Sequence, residues 1–306
     1  MNVSGDLEVF GGARRLAVGD LEAVFLPARG MLGASFRHRG LELLRRVADL
    51  EGAAAKGSTA GIPLLHPWAN RLGAWRYRVA GKDVALDPAS PLLHADGNGL
   101  PIHGVPWGRL SWEVVEAAPT RLAASLAWDR PELLAVFPFP HGLEMVASLT
   151  SGALTIAVTL TAGREGPVPV SFGFHPYLAI PGVPRAAWRL ELPAMTRLGL
   201  DTRGIPDGRE ESCPAVEAPL GARAYDDGFA LAGGGAAMAI SAGGRRIALE
   251  PLEGYGFAQV YAPPDADLVA LEPMTAPTNA LMSGRGLRAV APGGRFRAAF
   301  RIAVRA

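Results

Sequence analysis

The segment Leu154-Thr155-Ile156-Ala157-Val158-Thr159-Leu160 decides the fold class. Large aliphatic residues recur at every second position, with threonine or alanine between them. Successive side chains of a strand point to opposite faces, so this spacing buries one face of an extended chain. Two further runs repeat it. Leu122, Ala124, Leu126 and Trp128 form one, and Phe300, Ile302 and Val304 alternate with Arg301, Ala303 and Arg305 in the other. Turn signals stand between such runs: Ala80-Gly81-Lys82-Asp83, Ser151-Gly152, Gly233-Gly234-Gly235, Gly243-Gly244 and Pro292-Gly293-Gly294. Many short alternating runs closed by Gly/Pro turns predict an all-β chain folded as an antiparallel sandwich or barrel. The 38 glycines and 26 prolines are spread along the chain and act as turn punctuation, not as a linker.

Only Leu41 to Lys56 reads as helical, with Leu41, Leu44, Val47 and Ala48 near the 3.6-residue period. Gly52 interrupts it. No polar linker or shift in composition divides the 306 residues, and all-β folds of this length commonly form one domain, so a single domain over residues 1–306 is expected.

Composition excludes several function classes. Hydrophobic residues make up 49% and charged residues 19%, as in a globular protein. A formal net charge of +1 offers no strong field to attract nucleic acid or an acidic membrane. The only lysines are Lys56 and Lys82, and Lys82 sits in a hairpin-like turn, which speaks against Schiff-base, pyridoxal phosphate and P-loop chemistry. The lone Cys213 can form neither an internal disulfide nor a zinc cluster. The opening MNVSGDLEVF has no apolar stretch like that of a signal peptide, and no run approaches the length of a membrane span, so the expected location is the cytoplasm.

Familiar motifs fail on inspection. Gly284-x-Gly286-x-x-Ala289 fits a loose dinucleotide pattern but leads into Pro292-Gly293-Gly294 and not into a helix. Pro169 stands where a GxSxG motif around Ser171 would need its first glycine. HExxH and CxxC are absent, and the six histidines are scattered singly, so no metal site and no cofactor is expected. No basic patch interleaved with aromatics suggests a nucleic-acid partner.

Four polar clusters in apolar or Pro/Gly-framed surroundings remain. Arg71 ends the run Gly61 to Leu72, either as a solvated strand end or as a fixed fork of donors at a cleft. His103-Gly104, with Trp107 close behind, suits either a satisfied core histidine or a sugar pocket, where a ring edge bonds hydroxyls and an aromatic face covers C–H surface. His175 ends an apolar strand and is stopped by Pro176, a place that can hold an imidazole against a substrate. Glu272 ends the run Leu268 to Leu271, where burial would raise its pKa toward the range of a useful base. Ala248-Leu249-Glu250-Pro251 echoes Ala270-Leu271-Glu272-Pro273, so Glu250 has nearly the same local setting. Composition does not choose between the two glutamates. Asp226 and Asp227, before Gly228, read on their own as turn residues.

Taken in order, these clusters resemble the aldose 1-epimerase (galactose mutarotase-like) family. The resemblance rests on Asn70-Arg71, His103-Gly104 followed by Trp107 and Trp112, His175-Pro176-Tyr177, Asp226-x-x-Phe229, and Glu272-Pro273 with Asn279. It spans roughly residues 60 to 280, most of the chain. It implies a single large antiparallel β-sandwich, with His175 as general acid and Glu272 as general base. It further implies that Arg71, His103 and Asp226 hold sugar hydroxyls and the ring oxygen, and it favours Glu272 over Glu250. Two departures touch the pocket: His66-Pro67-Trp68 precedes Asn70-Arg71 where galactose mutarotases carry smaller residues, and His103 is followed by Gly-Val-Pro and not by two glycines.

The implied chemistry needs only two titratable groups whose environments push their pKa values apart. Three readings stay open: an epimerase of a free aldose, a hexose-phosphate 1-epimerase that recruits Arg71 and Arg109, and a silent sugar-binding protein. The sugar and the oligomeric state are not legible in the sequence.

Overall fold

The computed structural model describes residues 12–45, 47–233 and 236–306. The strand Ala153–Ala162, which contains the alternating segment Leu154 to Leu160, lies inside a nine-stranded sheet. Leu154, Ile156, Val158 and Leu160 are all buried, as the alternation predicts. Across the sheet the order is Val216–Pro219, Arg189–Leu192, Met238–Ala242, Arg245–Glu253, Arg295–Arg305, Ala153–Ala162, His141–Leu149, Arg121–Trp128 and Glu113–Ala118. The two other alternating runs of the sequence are members: Ile156 pairs with Phe300, and Leu122 with Ala147.

A second, eight-stranded sheet runs Pro206–Cys213, Met195–Leu200, Tyr225–Leu231, Phe257–Ala262, Val269–Met274, Gly173–Phe174 and Leu64–Leu65, with Tyr177–Leu178 also paired to Val269–Met274. The two sheets face each other. Phe174 of the second meets Phe300 of the first at a ring separation of 5.0 Å. Both sheets contribute to one hydrophobic cluster, with Leu154, Ile247 and Phe300 from the first and Phe229, Val260 and Leu271 from the second. All strand pairs in both sheets are antiparallel. The expected all-β antiparallel sandwich is therefore the fold.

A four-stranded sheet formed by Arg14–Val18, Leu21–Leu26, Leu32–His38 and Leu41–Glu42 is tied on by a bridge from Leu44 to Leu178. Its members include the start of the segment expected to be a helix. The structure corrects that expectation: among the described residues of the segment only Leu50–Lys56 is helical, and Leu41–Glu42 is a strand. The consecutive Leu43 and Leu44 are both buried, which an extended segment between two layers can do. The helix begins where Asp49 caps it, accepting the Gly52 N–H at 2.7 Å, and ends at left-handed Gly57. Two of the expected turns are tight hairpins with positive φ at both central residues: Ala80-Gly81, after which Lys82 opens the return strand, and Gly243-Gly244. In the third, Gly234 and Gly235 lie outside the described residues, as does the N-terminal stretch 1–11. Among the described residues no helix is long and apolar enough to cross a membrane.

Candidate active site

Four neighbouring strands of the eight-stranded sheet build the floor. Their register sets Asp226 beside Tyr261, Tyr261 beside Ala270, and Ala270 beside Tyr177. In the next row Gly228 lies beside Gln259, and Gln259 beside Glu272. Residues paired in register share a face, so these side chains project together. The alternate residues Phe229, Val260 and Leu271 project into the sandwich core. The floor is thus the face of this sheet turned away from the other sheet. Gln259, buried in the middle, donates through Nε2 to Asp226 Oδ1 at 2.7 Å.

Two loops supply the wall. Asn70 and His103 both adopt positive φ (56° and 62°), and the His103 N–H bonds the Asn70 carbonyl at 2.9 Å. Gly104 follows with φ of 64°, and a Cβ there would lie 2.4 Å from the His66 carbonyl oxygen. The His-Gly step is therefore a close backbone crossing that only glycine permits. Asn70 Oδ1 accepts from the Arg71 backbone N–H at 2.9 Å and from its Nη1 at 3.2 Å, fixing the guanidinium at the wall. Asn279 closes the segment from behind: its N–H bonds the Arg71 carbonyl at 2.9 Å, and its Oδ1 accepts from the Gly73 N–H at 2.8 Å. His175 follows the short strand Gly173–Phe174, its N–H bonded to the Pro63 carbonyl at 3.2 Å.

All five residues singled out in the sequence, Arg71, His103, His175, Asp226 and Glu272, line one cavity of about 210 Å³. Asn70, Ile102, Tyr177 and Tyr261 complete its lining. The volume falls below the roughly 300–1,000 Å³ typical of pockets for drug-sized ligands, and suits a small polar molecule. At its base Glu272 Oε1 lies 3.1 Å from His175 Nε2, with the two side chains 2% and 7% exposed. Glu272 Oε2 is buried with no hydrogen-bond partner among the described residues. Tyr177 stacks on His175 at 4.2 Å, its hydroxyl 3.3 Å from Nε2 and hydrogen-bonded to Thr59 Oγ1.

Burial governs the charges. It pushes the Glu272 carboxyl well above the usual carboxylate range; nearby Asp226 adds to the shift and Arg71 opposes it. Burial pushes the His175 imidazole down to about 3. His103 is driven well below the ordinary histidine range by burial first, then by His175, His94 and Arg71. Burial thus pushes both groups of the 3.1 Å contact toward their neutral forms, the carboxyl upward and the imidazole downward.

The rival glutamate lies elsewhere. Glu250 is in the nine-stranded sheet and accepts from Arg301 Nε at 2.6 Å. Asp226 and Asp227 are not in a turn but in the strand Tyr225–Leu231. Trp107 does not face the cavity: it is buried, with its indole N–H on the Ser58 carbonyl at 2.9 Å, and the aromatic lining comes from Tyr177 and Tyr261. Arg109 is exposed and outside the lining. Tyr261, Gln259 and Thr59 escaped sequence reading altogether. The signal that could have found Tyr261 and Gln259 is their pairing opposite the Asp226 and Glu272 strands.

A family model described as aldose 1-epimerase matches residues 34–303. No curated protein matches the chain significantly. Among solved structures, one described as a putative aldose 1-epimerase from Escherichia coli K12 superposes with a TM-score of 0.76 at 22% identity, covering 95% of this chain and 98% of that one. An aldose epimerase homologue from C. elegans gives 0.79 at 16% identity, covering 96% and 98%. A galactose 1-epimerase from Lactobacillus acidophilus NCFM gives 0.75 at 14% identity, covering 94% and 92%. At these identities the superpositions establish a shared fold.

Proposed function

Because the chain belongs to the aldose 1-epimerase family, we propose that it interconverts the α and β anomers of a free aldose by acid/base ring opening and closure, as one domain over residues 1–306. The observation that carries this reading is the buried contact of 3.1 Å between Glu272 and His175 at the base of a sugar-sized cavity. Glu272 is the general base and His175 the general acid. Arg71, His103 and Asp226 are the groups that hold sugar hydroxyls and the ring oxygen.

The proton balance closes within the pair. Moving the carboxyl proton from Glu272 to His175 Nε2 gives a carboxylate and an imidazolium without exchange with solvent. The carboxylate takes the proton from the anomeric O1, and the imidazolium delivers one to the ring oxygen as the C1–O5 bond breaks. Rotation about C1–C2 presents the other face of the aldehyde. On closure His175 takes the proton back from the O5 hydroxyl, and Glu272 returns one to O1. The chain and the solvent end as they began, and the sugar is the other anomer. Arg71 opposes the upward shift of Glu272 and so favours the carboxylate that this sequence requires.

The test is NMR exchange or polarimetry across a panel of free and phosphorylated aldoses. Enzyme-dependent equilibration of at least one free aldose is expected. Binding of sugars without equilibration would reduce the protein to a carbohydrate binder, and turnover confined to phosphorylated sugars would favour a hexose-phosphate epimerase.

A further inference from the structure

Arg71 is the one arginine in the cavity lining among the described residues, and no lysine joins it. How that guanidinium is held determines which sugars the cavity accepts. Its Nε donates to Asp96 Oδ2 at 2.5 Å, and the Asp96 side chain is only 7% exposed. The other carboxylate oxygen, Oδ1, accepts the backbone N–H groups of Asn98 at 2.8 Å and Leu100 at 3.0 Å. Asp96 is thereby locked in its own turn. Burial raises its pKa, but the bond from Arg71 and the two amides outweigh burial and leave it lower than usual, hence anionic.

The remaining edges of the guanidinium are also constrained. Nη1 donates to Asn70 Oδ1, and the turn around Gly204 packs on it so closely that a Cβ there would lie 3.0 Å from Nη1. Asn98 Nδ2 reaches the Arg203 carbonyl at 3.4 Å, joining the Asp96 turn to the Gly204 turn over the arginine. Only Nη2 has no hydrogen-bond partner among the described residues. A half-buried cation held against a carboxylate supplies hydrogen-bond direction with its net charge largely offset by its partner. Among the described lining residues a sugar phosphate or uronate would then meet two carboxyl groups, Asp226 and Glu272, and no uncompensated cation, while the exposed Arg45, which acts on Tyr177 and Tyr261, stands outside the lining.

We propose that Asp96 is a positioning residue that aims Arg71 Nη2 at a sugar hydroxyl and, by neutralising the guanidinium, makes the cavity discriminate against anionic sugars. The inference rests on the aldose-epimerase reading above. It accounts for a single cavity arginine serving an uncharged substrate.

The test measures binding by NMR and turnover by anomer exchange, for a free hexose and for its 6-phosphate and uronate forms. The proteins are the parent, Asp96→Asn, Asp96→Glu, Arg71→Ala and Arg71→Ala/Asp96→Asn. In Asp96→Asn the affinity for the free hexose should fall about tenfold, while the ratio of anionic to neutral binding rises about tenfold or more, the scale of one charge-assisted bond. The double variant should be no worse than Arg71→Ala, since both changes act through one group. Asp96→Glu, which keeps the charge but loses the turn geometry, should weaken binding with the ratio unchanged, and it decides the matter if Asp96→Asn does not fold. An unchanged ratio in Asp96→Asn, a raised ratio in Asp96→Glu, or fully multiplicative losses in the double variant would overturn the proposal. A parent that binds free hexose without turnover refutes the catalytic reading but leaves the binding ratios to judge Asp96. A parent that binds none of the sugars refutes both.

Discussion

Glu250 and Arg301 lie directly opposite each other in the nine-stranded sheet, with Arg301 Nε donating to Glu250 Oε2 at 2.6 Å. Glu272, in the same Ala-Leu-Glu-Pro context, has no such paired cation among the described residues and faces His175 instead. The two glutamates therefore have separate fates when made amides. Glu272→Gln keeps the shape of the side chain but cannot accept the O1 proton, and loss of a general base typically costs about 10²–10⁴ in rate. Glu250→Gln should leave anomer exchange within a few-fold of the parent, with a stability change of about 1 kcal/mol or less, as for other exposed ion pairs. NMR exchange rates on both variants check this; a dead Glu250→Gln beside an active Glu272→Gln would exchange their roles.

The pair of Glu272 and His175 sets the pH profile. A raised carboxyl and an imidazole lowered to about 3 keep one transferable proton over a wide range. A second proton arrives on His175 only in strong acid. The alkaline limb comes when Glu272 loses its proton to solvent, above the ordinary carboxylate range. The expected kcat/KM is flat through mildly acidic pH and falls on the alkaline side with loss of one proton. A profile rising through pH 4–5, the mark of an ordinary carboxylate base, would contradict this assignment.

Cavity-wall residues should separate binding from folding. Arg71→Ala, His103→Ala and Asp226→Ala each remove a lining polar group whose backbone is held independently by strand pairing or loop hydrogen bonds. Arg71→Ala should cost about 1.5–3 kcal/mol of sugar binding, the scale for hydrogen bonds to a charged group. Circular dichroism should stay β-rich in all three, and KM should rise. Parental KM in all three would move the sugar elsewhere.

A second histidine pair adds to the acid sensitivity that buried His103 and His175 also confer. His141 Nδ1 lies 2.6 Å from the Phe139 carbonyl, which can only accept, so that nitrogen carries the proton. His141 Nε2 must then accept from His66 Nε2 at 2.9 Å, and both rings are buried against Trp128 and Phe137. Burial lowers His141 to about 4 and His66 well below its usual value. Their folded-state pKa values are depressed, so the unfolded chain binds more protons below about pH 6.5. The pair's contribution to stability is full above that pH and is lost as pH falls toward 4. Urea midpoints between pH 7.5 and 4.5 should fall accordingly. His141→Gln should be less stable at pH 7 but should show a shallower acid slope, by up to about 1.4 kcal/mol per pH unit. An unchanged slope would mean that His141 does not contribute to the acid sensitivity.

What the sequence made legible follows from range. Leu154 to Leu160 could be read because strand alternation is a property of neighbours, and His175 and Glu272 because each ends an apolar run. Leu41 to Lys56 misled because Leu41, Leu44, Val47 and Ala48 have helical spacing but no common buried face: Leu41 is exposed in a strand while Leu44 is buried. Gln259, an ordinary polar residue between Ala258 and Val260, acquires its place only from standing opposite Glu272 and reaching Asp226. Asp96 acquires its place only from the fold of two turns over Arg71. Trp107 was drawn toward the cavity by proximity in sequence, yet the sharp crossing at Gly104 sends it the other way, into the layer beneath Leu26 and Ala54.

The alternation of Leu271 and Glu272 across one sheet gives the protein an internal check on assembly. A slip of the Val269–Met274 strand by a single residue would exchange the two faces, placing a carboxyl among Phe229 and Val260 and a leucine against His175. Such a molecule would lose its chemistry and its core packing together. Misassembled copies would therefore unfold and be cleared before they could persist as compact, inert ones, and the fraction of refolded protein that is folded should equal the fraction that is active.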